Sequence, residues 1–207
     1  MYTPEAFAIN EEKAQLALLE RYAFGTLSTV TAGRIRQSAI PFLIEPTERA
    51  LFGHLARENP HWRELTSCTD LLVTCMGPHG YISPNWYHAD GLVPTWNYVA
   101  LQVRGRARLL ESRGERLTLL DRMSERFERA LPRPWRSDQL EPRRRDAMLD
   151  AIVAFRVDID TIEAKAKLGQ NRRRVDIEAA ARQLVCDDEP SMSRQLAALM
   201  FEFMPET

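Results

Sequence analysis

The sequence has few of the residues from which the simplest kinds of site are built. Only three of its 207 residues are cysteines, and no Cys-x-x-Cys spacing occurs, which argues against a disulfide framework and a thiolate zinc site. With 28 basic and 29 acidic residues the net charge is −1, which excludes a globally basic nucleic-acid binder. The longest apolar run, residues 196–201, is too short to cross a bilayer. Because the start also lacks a basic-then-apolar leader, we expect a cytoplasmic protein that does not bind membranes.

Standard catalytic and metal-binding motifs are missing as well. The sequence contains no Gly-x-Gly-x-x-Gly, no phosphate-binding loop, no Gly-x-Ser-x-Gly and no His-Glu-x-x-His pattern. No two of the four histidines are spaced i, i+4 on a clear helix, so we expect no metal site. No residue can be assigned a catalytic role from the sequence. Lysine is rare, yet two of the three lysines, Lys165 and Lys167, lie almost side by side.

The hydrophobic periodicity predicts an α+β chain. A helical pattern from Asn10 to Tyr22 precedes about five segments of strand-like alternation. Helical spacing returns in the middle third, and a last strand begins near Phe155. Successive strands with the helices grouped apart favour an antiparallel sheet or barrel. We expect a single domain over residues 1–207, with a helical insertion at about 112–153 and C-terminal helices at about 176–203.

Two polar segments rich in glycine, proline and aromatic residues lie where strands are expected to end. In residues 53–62 a strand gives way to a helix, and free N–H groups together with the Arg57 guanidinium would suit a phosphate. In residues 77–87 we expect Gly77-Pro78 to end a strand. The three aromatic residues that follow would suit the wall of a planar ligand. An ordinary turn and a packed loop are the alternatives.

Two further segments have related chemistry. Residues 93–98 place hydroxyl, amide and aromatic groups just before an expected strand. Residues 165–171 place two cations and two amides after the last expected strand, where they could hold a phosphate or a heteroaromatic edge. Solvated polar turns are the alternative for both. The arginine runs 143–145 and 172–174 are flanked by acids, which favours solvated helix faces over a DNA-contacting patch.

Taken together and in this order, the four segments resemble the PaiB family, whose members are often described as FMN-binding negative transcriptional regulators. The match runs from residue 1 to about 185. Its most specific parts are Gly53-His-Leu-Ala-Arg-Glu-Asn-Pro-His-Trp and Gly77-Pro-His-Gly-Tyr-Ile-Ser-Pro-Asn-Trp-Tyr. Shorter matches are Met1-Tyr-Thr-Pro, Tyr22-Ala-Phe-Gly-Thr-Leu-Ser-Thr and Val93-Pro-Thr-Trp-Asn-Tyr.

The resemblance implies an antiparallel split β-barrel of the pyridoxamine-phosphate-oxidase type with flanking helices. It also implies a homodimer with two FMN sites at the subunit interface, acting as a transcriptional regulator or a flavin-dependent oxidoreductase. Backbone near Thr26, Ile40 and Pro41 would lie beside the flavin ring. The cofactor-binding side chains that the resemblance implies are His54, Arg57, Asn59, Thr95, Asn97, Lys167, Gln170 and Asn171.

Departures from the family pattern keep other functions open. Ala39 stands where a histidine is usual, and Ala166 and Gly169 replace an aromatic residue and a serine. These changes remove bulk or a polar group near the expected pocket and leave room for a different planar ligand. The first alternative is a haem-dependent enzyme similar to piperazate synthases, on the same scaffold. Its possible iron ligands are His54, His61 and His79. The second is a DNA-binding repressor with no enzymatic role.

Overall fold

The computed structural model describes residues 1–68, 70–186 and 190–205. Within these residues it contains eight β-strands and five α-helices, joined by loops and short 3-10 turns. The strands are β1 (Ala8–Ile9), β2 (Phe24–Thr31), β3 (Arg34–Pro41), β4 (Leu43–Glu45), β5 (Ala50–Ala56), β6 (Asp70–Ile82), β7 (Thr95–Leu110) and β8 (Ile152–Lys167). The helices are α1 (Glu12–Arg21), α2 (Arg113–Glu128), α3 (Pro142–Asp150), α4 (Arg174–Cys186) and α5 (Pro190–Glu202).

The strands form one sheet in the order β3-β2-β6-β7-β8-β5-β4, with β1 paired to β8. The pairs β2–β3, β2–β6, β4–β5 and β5–β8 are antiparallel, and the last strand rejoins the sheet as expected. Ala32 and Gly33 connect β2 to β3 with φ values of 50° and 72°, which suits the tight turn of a hairpin. Among the described strands, the hydrogen-bonded path runs from β3 to β4 without closing.

The strand boundaries correct three expectations. Gly77-Pro78 does not end a strand, because β6 continues through it to Ile82. The pairing of β6 with β2 ends at Cys75, so Pro78 lies beyond it. A proline, which has no N–H to donate, costs less at a position without a partner strand on one side. Thr95 opens β7, and Lys165 and Lys167 lie inside β8.

The described chain divides into two compact units. The terminal unit comprises Met1–Gln15, Met76–Gln102 and the described part of Glu163–Thr207. The central unit comprises Leu16–Cys75 and Val103–Ile162, which includes the predicted helical insertion with α2 and α3. Strands β6, β7 and β8 contribute residues to both units.

In the central unit, the two faces of β5 meet different partners. An ideal Cβ added at Gly53 would lie 2.9 Å from the Phe155 ring and 3.3 Å from Ile40, so this face packs tightly against β8 and β3. Phe52 points the other way and belongs to a buried apolar cluster with residues of α2. That cluster contains Leu43, Ala50, Phe52, Leu110, Leu119, Met123 and Ala154. Side chains alternate along a strand, so His54 lies on the Phe52 face.

In the terminal unit, α4 is fixed at its first turn. The Asp176 carboxylate is buried and accepts backbone N–H groups from His88 at 2.7 Å and Ala89 at 3.1 Å. Arg173 donates to the same carboxylate at 2.8 Å. These bonds tie the loop between β6 and β7 to α4. In the described residues, none of the helices is long and apolar enough to span a membrane.

Candidate functional site

In the terminal unit, the Lys167 side chain brings the third and fourth polar segments together. Its ammonium donates to the Thr95 hydroxyl and to the Trp96 carbonyl, the latter at 2.7 Å. Burial is the main cause that lowers the Lys167 pKa, and the charges of Lys165 and Arg172 lower it further. The described hydrogen-bond partners of the Lys167 ammonium are therefore neutral oxygens. The charges that act on it, those of Lys165 and Arg172, are also positive. Such a group favours the approach of an anion.

Lys165 is buried, with 7% of its surface exposed. Its ammonium lies 5.7 Å from the Tyr2 ring centre and 5.2 Å from the Tyr98 ring centre, and it donates to the Tyr2 carbonyl at 3.2 Å. Two aromatic faces and a carbonyl thus stabilise the charge, and none of the described carboxylates contacts it. Lys165 anchors the N-terminal residues to β8. Lys167 is half-buried and is the last residue of that strand.

Aromatic rings next to Lys167 form an exposed surface, which we call the aromatic patch, of His79, Tyr81 and Trp96. Trp96 contacts Tyr81 edge-on, with ring centres 6.3 Å apart, and His79 at 6.4 Å in a tilted arrangement. Trp96 and Tyr81 are 55% and 47% exposed. Large exposed rings on adjacent strands are suited to cover a flat ligand or a partner surface.

The turn after β8 contains Gly169 and Gln170, and Asn97 of β7 lies beside it. Asn97 is buried at 1% exposure, and its amide donates to the Met200 sulfur at 3.5 Å. The Gln170 side chain accepts from the Leu168 N–H at 2.8 Å and donates to the Ala166 carbonyl at 2.6 Å. Both ends of the Gln170 amide therefore stabilise the turn itself. Asn171 follows on the surface.

In the central unit, the Nδ1 atom of His54 is buried and has no hydrogen-bond partner among the described residues. Burial lowers the pKa of His54 below its ordinary value, which favours the neutral imidazole. A buried polar atom without a partner is costly in a folded protein. Among the predicted site residues, His54 thus has a buried ring nitrogen that forms no hydrogen bond with the described residues.

The Arg57 side chain is bonded to backbone carbonyl groups. Its guanidinium donates to the Asp150 carbonyl at 2.5 Å and to the Ile152 carbonyl at 2.8 Å. These bonds fasten the end of β5 to the start of β8. Two of the guanidinium donors are therefore occupied, and only the remaining ones are left for the phosphate contact that the sequence predicts.

Asn59 belongs to a buried polar network that the sequence did not predict. Its side-chain oxygen accepts the His61 backbone N–H at 3.1 Å, and its amide donates to the Ser38 hydroxyl at 3.1 Å. His61, which is fully buried, contacts the Ser38 hydroxyl through Nδ1 at 2.8 Å and the Thr29 hydroxyl through Nε2 at 3.0 Å. The Thr29 hydroxyl donates to Glu64 at 2.9 Å.

The directions of these bonds follow from the chemistry of the groups. Thr29 has one hydroxyl proton, which it gives to the Glu64 carboxylate, so it must accept from the Nε2–H of His61. The neutral His61 then carries a lone pair on Nδ1, which accepts the Ser38 hydroxyl proton. Burial lowers the pKa of His61, the charge of Glu64 raises it, and the charge of Arg36 lowers it.

The structure thus brings together the predicted residues within each unit to different degrees. Thr95 and Lys167 are in direct contact, and Asn97 lies beside the Gly169 turn, where its amide nitrogen is 3.9 Å from an ideal Cβ at Gly169. His54, Arg57 and Asn59 follow each other along the chain but bond to separate partners. Among the described residues there is no cluster of three or more metal-ligating side chains.

Solved structures with similar folds support the predicted architecture. The flavocytochrome Anf3 from Azotobacter vinelandii superposes with a TM-score of 0.63 at 14% identity, covering 79% of this chain and 70% of that one. A protein from Mycobacterium smegmatis described as an FAD and heme binding protein superposes with a TM-score of 0.61 at 18% identity, covering 78% and 74%. The α+β fold with an antiparallel split-barrel sheet is confirmed.

Sequence comparison gives the family. The chain is 34% identical to the "Protease synthase and sporulation protein PAI 2" of Bacillus subtilis (strain 168) over 204 residues, covering 97% of this chain and 96% of the relative. A family model described as "Putative FMN-binding domain" matches residues 1–161. The resemblance to the PaiB family is thereby confirmed, and the chain belongs to the "Putative FMN-binding domain" family.

Proposed function

We propose that this chain binds FMN and that Lys167 is the main cation for the FMN phosphate. The observation that carries the proposal is the half-buried ammonium of Lys167. It contacts only neutral oxygens among the described residues and has Lys165 and Arg172 as its like-charged neighbours. A phosphate would supply the missing negative charge. The family match agrees with a phosphate-bearing flavin as the ligand.

The other predicted residues take supporting roles in this proposal. Thr95 orients the Lys167 ammonium through its hydroxyl, Gln170 stabilises the turn that contains Asn171, and Asn97 lies beside that turn. The aromatic patch supplies flat apolar surface for the ring system. When bound, FMN would supply electron-transfer chemistry, and the protein would supply orientation and charge. The FMN contacts of His54, Arg57 and Asn59 stay predictions from the sequence.

The FMN proposal is tested by fluorescence titration of the Lys167→Met variant. Loss of one charge-assisted bond to phosphate should weaken FMN binding by roughly 10- to 100-fold, corresponding to about 1.5–3 kcal/mol. Lys13→Met, a lysine-to-methionine change on α1, is the matched control and should bind like the parent chain. Equal affinity of both variants would exclude Lys167 as the phosphate ligand.

We also propose that the chain is a cytoplasmic homodimer. The support is the exposed apolar surface of the terminal unit, where Met76, Tyr81, Val93 and Trp96 are each about half exposed or more. A second copy that covers these side chains would remove them from water. Light scattering on the purified chain should give twice the mass of 23.8 kDa. A monomeric mass at micromolar concentration would reject this part.

Haem is the second candidate ligand, and the unpartnered Nδ1 atom of His54 favours it. A neutral imidazole is the form that ligates haem iron, and burial lowers the His54 pKa toward that form. Hemin added to the purified chain should give a shifted Soret band that His54→Ala abolishes and Lys167→Met retains. A free-hemin spectrum would remove this candidate.

A regulatory role on DNA would need arginine charges that are free to contact phosphates. Arg173 and Arg174, in the second arginine run, are ion-paired with Asp176 and Glu178, at 2.8 Å and 3.0 Å, so their charges are partly neutralised. A gel shift at low salt with the promoter region of its own operon tests this role. Absence of a shifted band would leave flavin binding without a DNA function.

A further inference from the structure

The central unit contains a hydrogen-bond chain in which Asn59 alone is a predicted FMN contact. It runs from the Asn59 amide through the Ser38 hydroxyl, the His61 ring and the Thr29 hydroxyl to the Glu64 carboxylate. The carboxylate also accepts from Arg36 at 2.7 Å. Each donor in the chain faces an acceptor, so the order of protons is defined along its whole length.

We propose that Ser38 is a nucleophile with His61 as its general base, and that the central unit hydrolyses small activated acyl esters. The Ser38 oxygen lies 2.8 Å from His61 Nδ1, which is the distance at which a base takes a hydroxyl proton. The Thr29 hydroxyl connects His61 to Glu64 and thereby fixes the ring orientation and supports the imidazolium that forms.

Ser38 and His61 differ in their exposure to solvent. His61 is fully buried, whereas Ser38 is only half-buried on β3 and can be reached by a substrate. Strand β3 ends the hydrogen-bonded path of the described strands. A terminal strand presents backbone N–H groups along its unpaired side, which are the kind of donor that stabilises an oxyanion.

The proposed reaction balances without a redox partner. The Ser38 oxygen forms a bond to the ester carbonyl carbon while its proton moves to His61 Nδ1, and the ester C–O bond then breaks. The leaving alcohol takes the proton from His61. Water cleaves the acyl-serine by the same path, so ester and water give acid and alcohol.

Two charged groups face His61 and define the expected pH dependence. The Glu64 carboxylate favours the imidazolium, and the Arg36 guanidinium opposes it. Burial is the largest effect and places the His61 pKa below 6.5. Since His61 must be neutral to accept a proton, the rate should rise with pH, with a midpoint below that of an ordinary histidine, and then level off. Hydroxide-driven labelling of an ordinary serine would keep rising instead.

The direct test is reaction of the full-length chain with a fluorophosphonate probe, with the labelled residue located by mass spectrometry. We expect stoichiometric labelling at Ser38, none in Ser38→Ala, and at least about tenfold slower labelling in Thr29→Val. Hydrolysis of p-nitrophenyl acetate should fall in the same two variants. Ser28→Ala is the matched control, because Ser28 lies on neighbouring β2 and accepts from Gln37 at 3.1 Å.

Glu64→Gln provides a second variant if Thr29→Val does not fold, as judged by its circular dichroism. It should retain the fold, slow labelling and lower the pH at which the rate levels off. A folded parent chain that stays unlabelled, or labelling that is equal in Ser38→Ala and Ser28→Ala, would overturn the proposal. The flavin proposal is tested separately by the Lys167→Met titration, so a failure to label Ser38 leaves that proposal intact.

Discussion

Lys167 differs from the ion-paired arginines of this protein in the partners of its charge. Arg113, for example, contacts Asp146 at 2.8 Å and Asp150 at 2.9 Å, and Arg156 contacts Asp158 at 2.6 Å. Exposed pairs of this kind add little stability but they neutralise charge. Within the described part of the chain, Lys167 contacts only neutral oxygens, and it lies next to exposed aromatic rings. This difference is why a single lysine carries the FMN proposal.

Gly169 allows a test of the turn that follows Lys167. Its φ of +94° is a conformation that side-chain-bearing residues rarely adopt, while an added Cβ would meet Ile177 at an ordinary 3.6 Å. Gly169→Ala should therefore lower the free energy of unfolding by about 1–2 kcal/mol through backbone strain. Urea denaturation measures this change.

Gly114 is the matched control for that substitution. It lies in the first turn of α2, where an added Cβ would meet nothing within 4 Å. Gly114→Ala should leave stability unchanged or raise it by up to about 1 kcal/mol. Equal losses in the two variants would contradict the assignment of strain to Gly169.

At the scale of elements, α2 begins with a capping box. The Ser112 hydroxyl accepts the Glu115 N–H at 3.1 Å, and the Glu115 carboxylate accepts the Ser112 N–H at 3.1 Å. Ser112→Ala should cost about 1 kcal/mol of unfolding free energy, since one N–H of the first turn loses its acceptor. Ser124→Ala, inside the same helix, should change stability by less than half as much in the same urea titration.

The first turn of α4 has a pH-dependent contact. The side chain of Arg173, followed by the His88 and Ala89 N–H groups, holds the Asp176 pKa below its ordinary value of 3.8. A depressed carboxyl pKa contributes stability that is complete above the unfolded pKa and is lost as the pH falls through the folded one. Thermal unfolding of the parent chain should therefore lose more stability between pH 5 and pH 2 than Asp176→Asn does. Parallel curves would contradict this role.

The strand pattern was largely predictable, because alternation and turn residues are local signals. The positions at which β6 and β8 end could not be predicted in this way. Pro78 indicated a strand end, but a proline is tolerated where one side of the backbone has no ladder partner, and this depends on where β2 stops. Lys165 continues β8 because Ala8 pairs with it, a contact between residues far apart in the chain.

At the scale of the whole molecule, the candidate site was predicted in part. The sequence singled out Thr95 and Lys167, which the structure places in direct contact. It did not single out Ser38, Thr29 and Glu64, because hydroxyls and a carboxylate scattered over β2, β3 and a 3-10 turn have no common spacing. The histidine at the centre of that network, His61, was weighed only as a haem ligand.

The difference between FMN and riboflavin tests the central claim most directly, because the two molecules differ by the phosphate that Lys167 is proposed to hold. Flavin fluorescence quenching on the purified chain gives both dissociation constants in one buffer. We predict that FMN binds with one site per chain and roughly 10- to 100-fold more tightly than riboflavin, and that Lys167→Met removes most of this difference. Equal affinities for the two flavins, or no quenching by either, would contradict the account.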